Sequence, residues 1–454
     1  MIDQAVNFPA ATKQASRNSS TPTSPTERIA SIDVLRGFAL LGILLANIQD
    51  FAAPSGMLHD IPIDVVSGVG MHHKFSMCIM TAQWLFVEGK MRSLFGLLLG
   101  AGSVLLLGRI ETRAGEARAA DIFHRRYMWL ILLGLIHGIF IWNGDILFQY
   151  GVVALLTLYP LRHVKASRLM FAGFAIALLG GTLGIGNAMG MSTALHSAAL
   201  QEGAKASVLQ HRTPTLEQQQ AVKAAQEGRE KDLAALQETV SVERASYLKS
   251  EPENAKGFAE FNCLVFTTGW IFEVVGIMIA GMGLYKTGFL SAALPSRNYF
   301  AVALTGYAIS GGLVLIGLSH AARFGFSDAV VVKWIFLPYG LEQVPGMLAN
   351  ASVLLLLVRY GIVKPVQRAL AAVGRTALSN YLLTSIICQF VFKWGPWRLY
   401  GALEYYQQIY AVVCVWALNL IASMIWLRFY NFGPVEWVWR SLTYWKRQSM
   451  VAEA

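Results

Sequence analysis

The sequence predicts an all-α, polytopic integral membrane bundle of about ten transmembrane helices, two of them broken or re-entrant. Three observations lead there. Apolar residues make up 55% of the 454 residues and charged ones only 14%, far from the balance of a soluble domain. The apolar residues gather in stretches of roughly 17 to 28, long enough to cross a bilayer as helices and too continuous for membrane strands. The net charge of +10 collects in particular loops, as membrane orientation requires, so no nucleic acid partner is needed to explain it.

Residues 1–27, rich in Ser, Thr, Pro, Asn and Gln, hold too little apolar material to fold alone and read as a disordered cytoplasmic tail. Residues 28–189 form a first transmembrane half, with spans near 33–54, 75–108, 126–142, 144–160 and 167–189. Residues 257–428 form a second, with spans near 257–285, 298–319, 328–358, 375–394 and 405–427. Basic groups fall on alternate loops: Arg28 and Arg36, the Arg109–Arg126 loop, Arg162 to Arg168, Lys286 and Arg297, Arg359 to Arg375, and Arg428 to Arg447. All lie on one side if each span crosses once, which puts both termini in the cytoplasm. Trp437, Trp439, Tyr444 and Trp445 give the 429–454 tail an aromatic anchor at that surface. The cysteines, Cys78, Cys263, Cys388 and Cys414, sit in apolar stretches and imply no disulfide framework.

Between the halves, residues 190–256 are water-facing. Residues 201–256 carry nine acidic and eight basic side chains, too many for lipid. The run from Thr215 to Leu248 favours helix, with a capping box at Thr213-Pro-Thr215-Leu-Glu217. A periplasmic helical hairpin packed on the bundle is the simple reading, and a lid over an acceptor site the functional one.

Two spans are interrupted. Glu88-Gly-Lys90-Met-Arg92 breaks the 75–108 stretch, and Pro338, Glu342 and Pro345 break the 328–358 stretch. Proline and glycine at depth free backbone groups that need other partners, and broken helices of this kind line cavities.

Ionisable groups inside spans are costly and face a bundle interior, a cavity or a partner. His137, in Gly134-Leu-Ile-His137-Gly-Ile-Phe-Ile-Trp142-Asn-Gly144-Asp145, is of the residue type that serves proton transfer. About eleven residues into its span, it is expected roughly 16 Å deep, with Asp145 about 12 Å further out. A neutral histidine bonded to its neighbours is the structural alternative, and the Asn143-Gly144-Asp145 turn also suits a plain hairpin. Glu88 and Arg92, four apart, are expected to pair on one helix face. Lys90 then needs its own partner or an anionic ligand, and Glu273 or Glu342 could pair with Lys90 or Arg92. A structural ion network is the alternative to a site. Asp33 suits a helix N-terminus, whereas Arg36, almost a turn inside, could bind phosphate through its planar fork.

Several of these pieces together resemble the YeiB-like family of bacterial inner-membrane proteins. They are Asp33-Val-Leu-Arg36-Gly37-Phe-Ala-Leu-Leu-Gly, Lys90-Met-Arg-Ser-Leu-Phe-Gly, the His137-to-Leu147 run, Gly374-Arg375-Thr-Ala-Leu-Ser-Asn380-Tyr381 and Gly433-Pro-Val-Glu436-Trp-Val-Trp439-Arg440. The family is grouped in a transmembrane acyltransferase superfamily with heparan-α-glucosaminide N-acetyltransferase. The resemblance implies transfer of an acyl, typically acetyl, group from cytoplasmic acetyl-CoA or another acyl-CoA to a small-molecule, glycan or lipid acceptor reached from the periplasmic side. In that reading Arg36, Lys90 and the inner basic loops hold the donor, with Arg92 and Glu88 beside them; Lys90 or Arg92 steadies the oxyanion, His137 is the base, and Asp145 orients the acceptor or helps remove the proton outward. The glucosaminide enzyme points instead to a histidine between the first two spans, so His72 and His73 stand beside His137 as alternatives. No metal is implied, and a homodimer stands as an alternative to a monomer. A proton-coupled transporter of a small solute would use the same buried charges.

Overall fold

The computed structural model describes residues 30–54, 61–62, 64–65, 72–244 and 247–451, so the 1–27 tail lies outside the described residues. Among these there is no strand beyond an isolated bridge between Tyr430 and Val451. Six helices are long and apolar enough to cross a membrane, or seven if one bent pair counts as a single span.

Helix α1 (Ala30–Ala52) is buried along most of its length. Helices α2 (His73–Phe86) and α3 (Lys90–Ala114) are the two halves of the first interrupted span, and the break falls at Val87–Gly89, as the sequence suggested. Gly89 has φ +66°, a left-handed conformation cheap only for glycine. Helix α4 (Glu116–Phe140) and α5 (Leu147–Leu161) form a hairpin around the 141–146 turn. Helix α4 starts ten residues earlier than the expected span and ends at Phe140, so His137 lies in its last turn. Helix α6 (Ala166–Ala188) packs on α10 (Ile271–Lys286) through small residues. Gly173, Gly180 and Gly276 put backbone against backbone there, the close approach that glycine permits in membrane helix pairs.

The insertion forms α7 (Met191–Leu209) and α8 (Leu216–Glu243). Thr215 caps α8: its hydroxyl accepts the Gln218 amide while Gln218 Oε1 accepts the Thr215 amide. The capping box is therefore present, with Gln218 rather than Glu217 closing it. Helix α9 (Tyr247–Thr267) runs unbroken through residue 256 and meets α10 at a 72° bend. After α11 (Ser296–Arg323), the second interrupted span is a short helix, Asp328–Val331, a π turn, Val332–Phe336, and α12 (Tyr339–Arg359) beyond Pro338. The chain ends in α13 (Lys364–Arg375), α14 (Ala377–Gln389) with a π turn at Phe390–Trp394, α15 (Tyr405–Phe429) and α16 (Pro434–Tyr444).

The loop arginines gather on one face, tied by Arg162 to Glu111 and Glu116 and by Lys286 to the Arg162 and Val164 carbonyls. The insertion covers the opposite face. It is held by Lys333 to Glu202 at 2.6 Å, Arg244 to the Tyr400 carbonyl at 2.7 Å and Lys393 to Glu243 at 2.9 Å.

Candidate functional site

The residues singled out in the sequence fall into three groups rather than one chamber. The first is a cavity of about 210 Å³ on the basic face. Arg36, Arg109, Arg126, Arg375 and Arg440 line it, against only two carboxylates, Asp33 and Glu436, so its charge is strongly positive. Its inner wall is apolar, with Leu98, Leu130, Leu147 and Leu378, and carries Tyr150. Local sequence builds it. Gly37 of α1 and Gly374 of α13 let the two backbones touch, for a Cβ on either would overlap the facing carbonyl of Leu370 or Asp33. That contact brings Arg36 and Arg375 to one opening. Arg36 holds Asp33 at 3.0 Å. Arg126 lies 3.8 Å over the Trp439 ring, and its carbonyl accepts the Trp439 indole N–H at 2.9 Å. The aromatic C-terminal segment thus does more than anchor: α16 is a wall of the cavity. Its Glu436 accepts the first amides of α14, from Leu378 at 2.6 Å and Ser379 at 3.2 Å. Burial pushes that carboxyl above its ordinary value, against the lowering effect of these hydrogen bonds.

The second group is a histidine–aspartate pair. His137 Nδ1 is 2.8 Å from Asp145 Oδ1, and both residues are essentially sealed from solvent. The helical rise had suggested a 12 Å separation, but α4 ends at Phe140 and the chain doubles back, so the two touch. Asp145 Oδ2 accepts the Phe148 amide at 2.8 Å, and the Tyr381 hydroxyl sits 3.5 Å from Oδ1 and accepts the Ile146 amide at 3.4 Å. The Tyr381 ring packs 5.0 Å from the imidazole. His137 Nε2 has no hydrogen-bond partner among the described residues. A carboxylate on Nδ1 places a proton there and leaves Nε2 basic, the arrangement of a general base. His137 does not line the cavity, but Leu147, two residues past Asp145, and Leu378, one turn before Tyr381, do. Of the three candidate histidines only His137 is buried against a carboxylate. His72 is about half exposed, 3.4 Å from Glu404.

The third group is an ion lattice, and here the expected pairing of Glu88 with Arg92 is corrected, while Lys90 finds its partner in Glu342. Lys90, fully buried, donates to Glu342 at 2.5 Å, to the Trp84 carbonyl at 2.8 Å and to the Glu88 carbonyl at 3.3 Å. Arg92 donates to Glu273 at 2.9 Å, and Glu273 also takes Ser93, Trp270 and Gln343. Glu88 does not pair with Arg92, because the break at Gly89 removes Glu88 from the helix of Arg92. Its carboxylate instead receives the Gly89 amide at 3.0 Å and the Tyr339 hydroxyl at 3.4 Å. None of the three side chains lines the cavity. Lys90 and Arg92 make these contacts within the bundle, whereas Glu88 Oε2 has no hydrogen-bond partner among the described residues. They fasten the broken ends of α2 and α3 to α10 and α12.

Residues 284–446 match the family described as a protein of unknown function (DUF418). The chain is 28% identical over 430 residues to the uncharacterized protein YxaH of Bacillus subtilis (strain 168), covering 93% of this chain and 96% of the relative. It is 28% identical over 425 residues to the uncharacterized protein YeiB of Escherichia coli (strain K12), covering 92% and 96%. These matches support a YeiB-like family. No solved structure matches. The DUF418 stretch contains Glu342, Arg375, Tyr381, Glu436 and Arg440, whereas Arg36, Lys90, His137 and Asp145 precede it.

Arg109 and Arg126 were visible in the sequence only as orientation charges, since a loop arginine over a cavity reads like any other, and Arg375 and Arg440 lay in motifs of the resemblance without a sign of the cavity. Tyr381 lay in a motif of the resemblance but had no spacing signal, because its partner is 236 residues away.

Proposed function

We propose that the protein is an integral-membrane acyltransferase using a cytoplasmic acyl-CoA as donor. The observation that carries this reading is the arginine-lined cavity with an apolar inner wall, which suits an amphiphile with phosphates at one end and an uncharged arm at the other. Its volume fits a narrow arm and a phosphate or two, with the nucleotide end resting at the mouth. In this reading the basic face is cytoplasmic, the insertion is periplasmic, and the bundle crosses a bacterial inner membrane about ten times. His137 Nε2 takes the proton of an acceptor hydroxyl or amine as its oxygen or nitrogen attacks the thioester carbonyl. The C–S bond breaks, and the CoA thiolate leaves and is protonated. Asp145 holds the imidazole tautomer and balances the imidazolium, and Tyr381 orients the pair.

Purified protein in detergent is titrated with CoA and acetyl-CoA by calorimetry, and thiol release is followed with acetyl-CoA. Replacing Arg375 or Arg440 by Ala is expected to weaken CoA binding about tenfold, the worth of one charge-assisted hydrogen bond. His137→Ala is expected to keep binding and abolish thiol release. No CoA binding by the folded protein would overturn the reading. Solute flux in liposomes without any response to acyl-CoA would favour a carrier built on the same buried charges.

A further inference from the structure

Helix α14 carries polar residues at every fourth position: Tyr381, Ser385, Gln389 and, in the π turn that follows, Lys393. All four are buried. Polar groups on a helix facing lipid or an apolar core are expensive, and a stripe of four at helical spacing marks one face. Contacts locate that face. Tyr381 packs on His137. Gln389 Nε2 donates to the Ile141 carbonyl at 2.6 Å, just past the C-terminal end of α4. Ser385 lies between them and donates to the Tyr381 carbonyl at 3.3 Å. The stripe therefore runs from the His137–Asp145 pair towards the insertion face, about 18 Å at 1.5 Å per residue.

Along this line several buried polar atoms lack partners among the described residues: His137 Nε2, Trp142 Nε1 and Gln389 Oε1. Trp142 meets the His137 ring edge-on at 6.3 Å. Orphaned donors and acceptors grouped in this way need an explanation, since each unpaired buried group is destabilising. At the outer end a small pocket is lined by Gln389, Ile141, Lys393, Glu243 and Trp394, and the Lys393–Glu243 ion pair spans it from bundle to insertion. The π turn at Phe390–Trp394 falls where the stripe reaches this pocket, and π turns within helices recur at functional positions.

We infer that this stripe is a polar passage by which a hydroxyl- or amine-bearing group reaches His137 Nε2 from the insertion face, with the Lys393–Glu243 pair as its outer closure. The passage supplies the acceptor half of the proposed reaction and in that sense rests on it, but its existence is testable without any acyl donor. The four native cysteines are replaced (Cys78→Ser, Cys263→Ser, Cys388→Ala, Cys414→Ser). Ser385→Cys and Gln389→Cys are introduced separately, and vesicles of either orientation are treated with a membrane-impermeant cationic thiol reagent. Both positions are expected to react from the insertion face only. Adding Glu243→Gln should speed the reaction at Ser385→Cys about fivefold, the effect of losing one partly exposed ion pair. Lys223→Cys, on the exposed surface of α8, reports that the reagent is active on that side. Reaction only from the basic face, or none at either position with and without Glu243→Gln while Lys223→Cys is labelled, overturns the passage. Labelling as expected without acyl transfer would sink the enzymatic reading and leave the passage standing.

Discussion

The Lys90–Glu342 pair allows a quantitative test of what the ion lattice does. Lys90 is completely buried and its ammonium satisfies three acceptors, the Glu342 carboxylate and the Trp84 and Glu88 carbonyls. Lys90→Met keeps the volume but leaves a buried carboxylate without its counter-charge, a change that costs about 3–5 kcal/mol. Glu342→Met strands the ammonium at a similar cost, softened by the two carbonyls. The double variant Lys90→Met/Glu342→Met removes both charges and takes the side-chain donor from the Trp84 carbonyl, while the Glu88 carbonyl keeps the Lys90 amide, so it should cost only about 2 kcal/mol, about 4–8 kcal/mol less than the summed singles. A chain of this size shifts by about 1–2 °C per kcal/mol, by extension of the size scaling of unfolding entropy. Each single variant should then melt about 4–8 °C below the parent and the double within about 3 °C of it, as read by thermal unfolding in detergent. If the double melts as low as the sum of the singles, the two side chains do not act as a pair. If both singles melt with the parent, the lattice does not fasten the broken helices.

Three further outcomes follow from other contacts. Asp145→Asn keeps the shape of the 141–146 turn and the Phe148 amide contact but no longer fixes the proton on Nδ1, so acyl transfer should fall about 100-fold or more with CoA binding unchanged. Gly89→Ala forces an L-residue into φ +66° and drives its Cβ into the Tyr339 hydroxyl, which should cost about 1–2 kcal/mol or more in thermal stability. On the insertion, partial burial opposes the charge of Glu202, but hydrogen bonds from Lys333 and Trp334 and the Lys333 charge outweigh it and hold the carboxyl below its ordinary 4.5. A depressed carboxyl contributes stability that is complete above pH 4.5 and fades as pH falls through the lower folded value. Limited proteolysis of the α7–α8 hairpin should therefore accelerate below that pH, and Glu202→Gln should flatten the change.

Hydropathy made the helical class and the two interruptions legible, because an apolar run and a charged Gly break are local features. Gly89 is the clear case: its neighbours Glu88 and Lys90 could not both continue an apolar helix. Pairing was not local. Glu273 and Glu342 were visible as buried acids, yet only the fold assigns the first to Arg92 and the second to Lys90. The His137–Asp145 contact escaped a helical-rise estimate because the turn between them is compact. The cavity was hidden for another reason. Arg36, Arg375 and Arg440 come from the two ends of the chain, and the Gly37–Gly374 backbone contact that gathers them has no signature beyond two glycines.

Helix α14 is the element common to the cavity, the dyad and the passage. Its first amides are capped by Glu436 at the cavity wall, its second turn presents Tyr381 to Asp145, and its end reaches the insertion through Lys393. A ligand that fills the cavity meets Leu378 and the Glu436 cap, and any shift of that cap moves Tyr381 with it, since a helix transmits displacement along its axis. If the cavity binds the donor as proposed, this arrangement links its occupancy to the dyad through one rigid element. Glu436→Gln separates a cap from a coupling: as a cap alone it should lower thermal stability by about 1 kcal/mol. Should thiol release fall far more than CoA binding in that variant, with His137 and the cavity arginines intact, the coupling through α14 is real. A stability loss with unchanged transfer would reduce Glu436 to a cap.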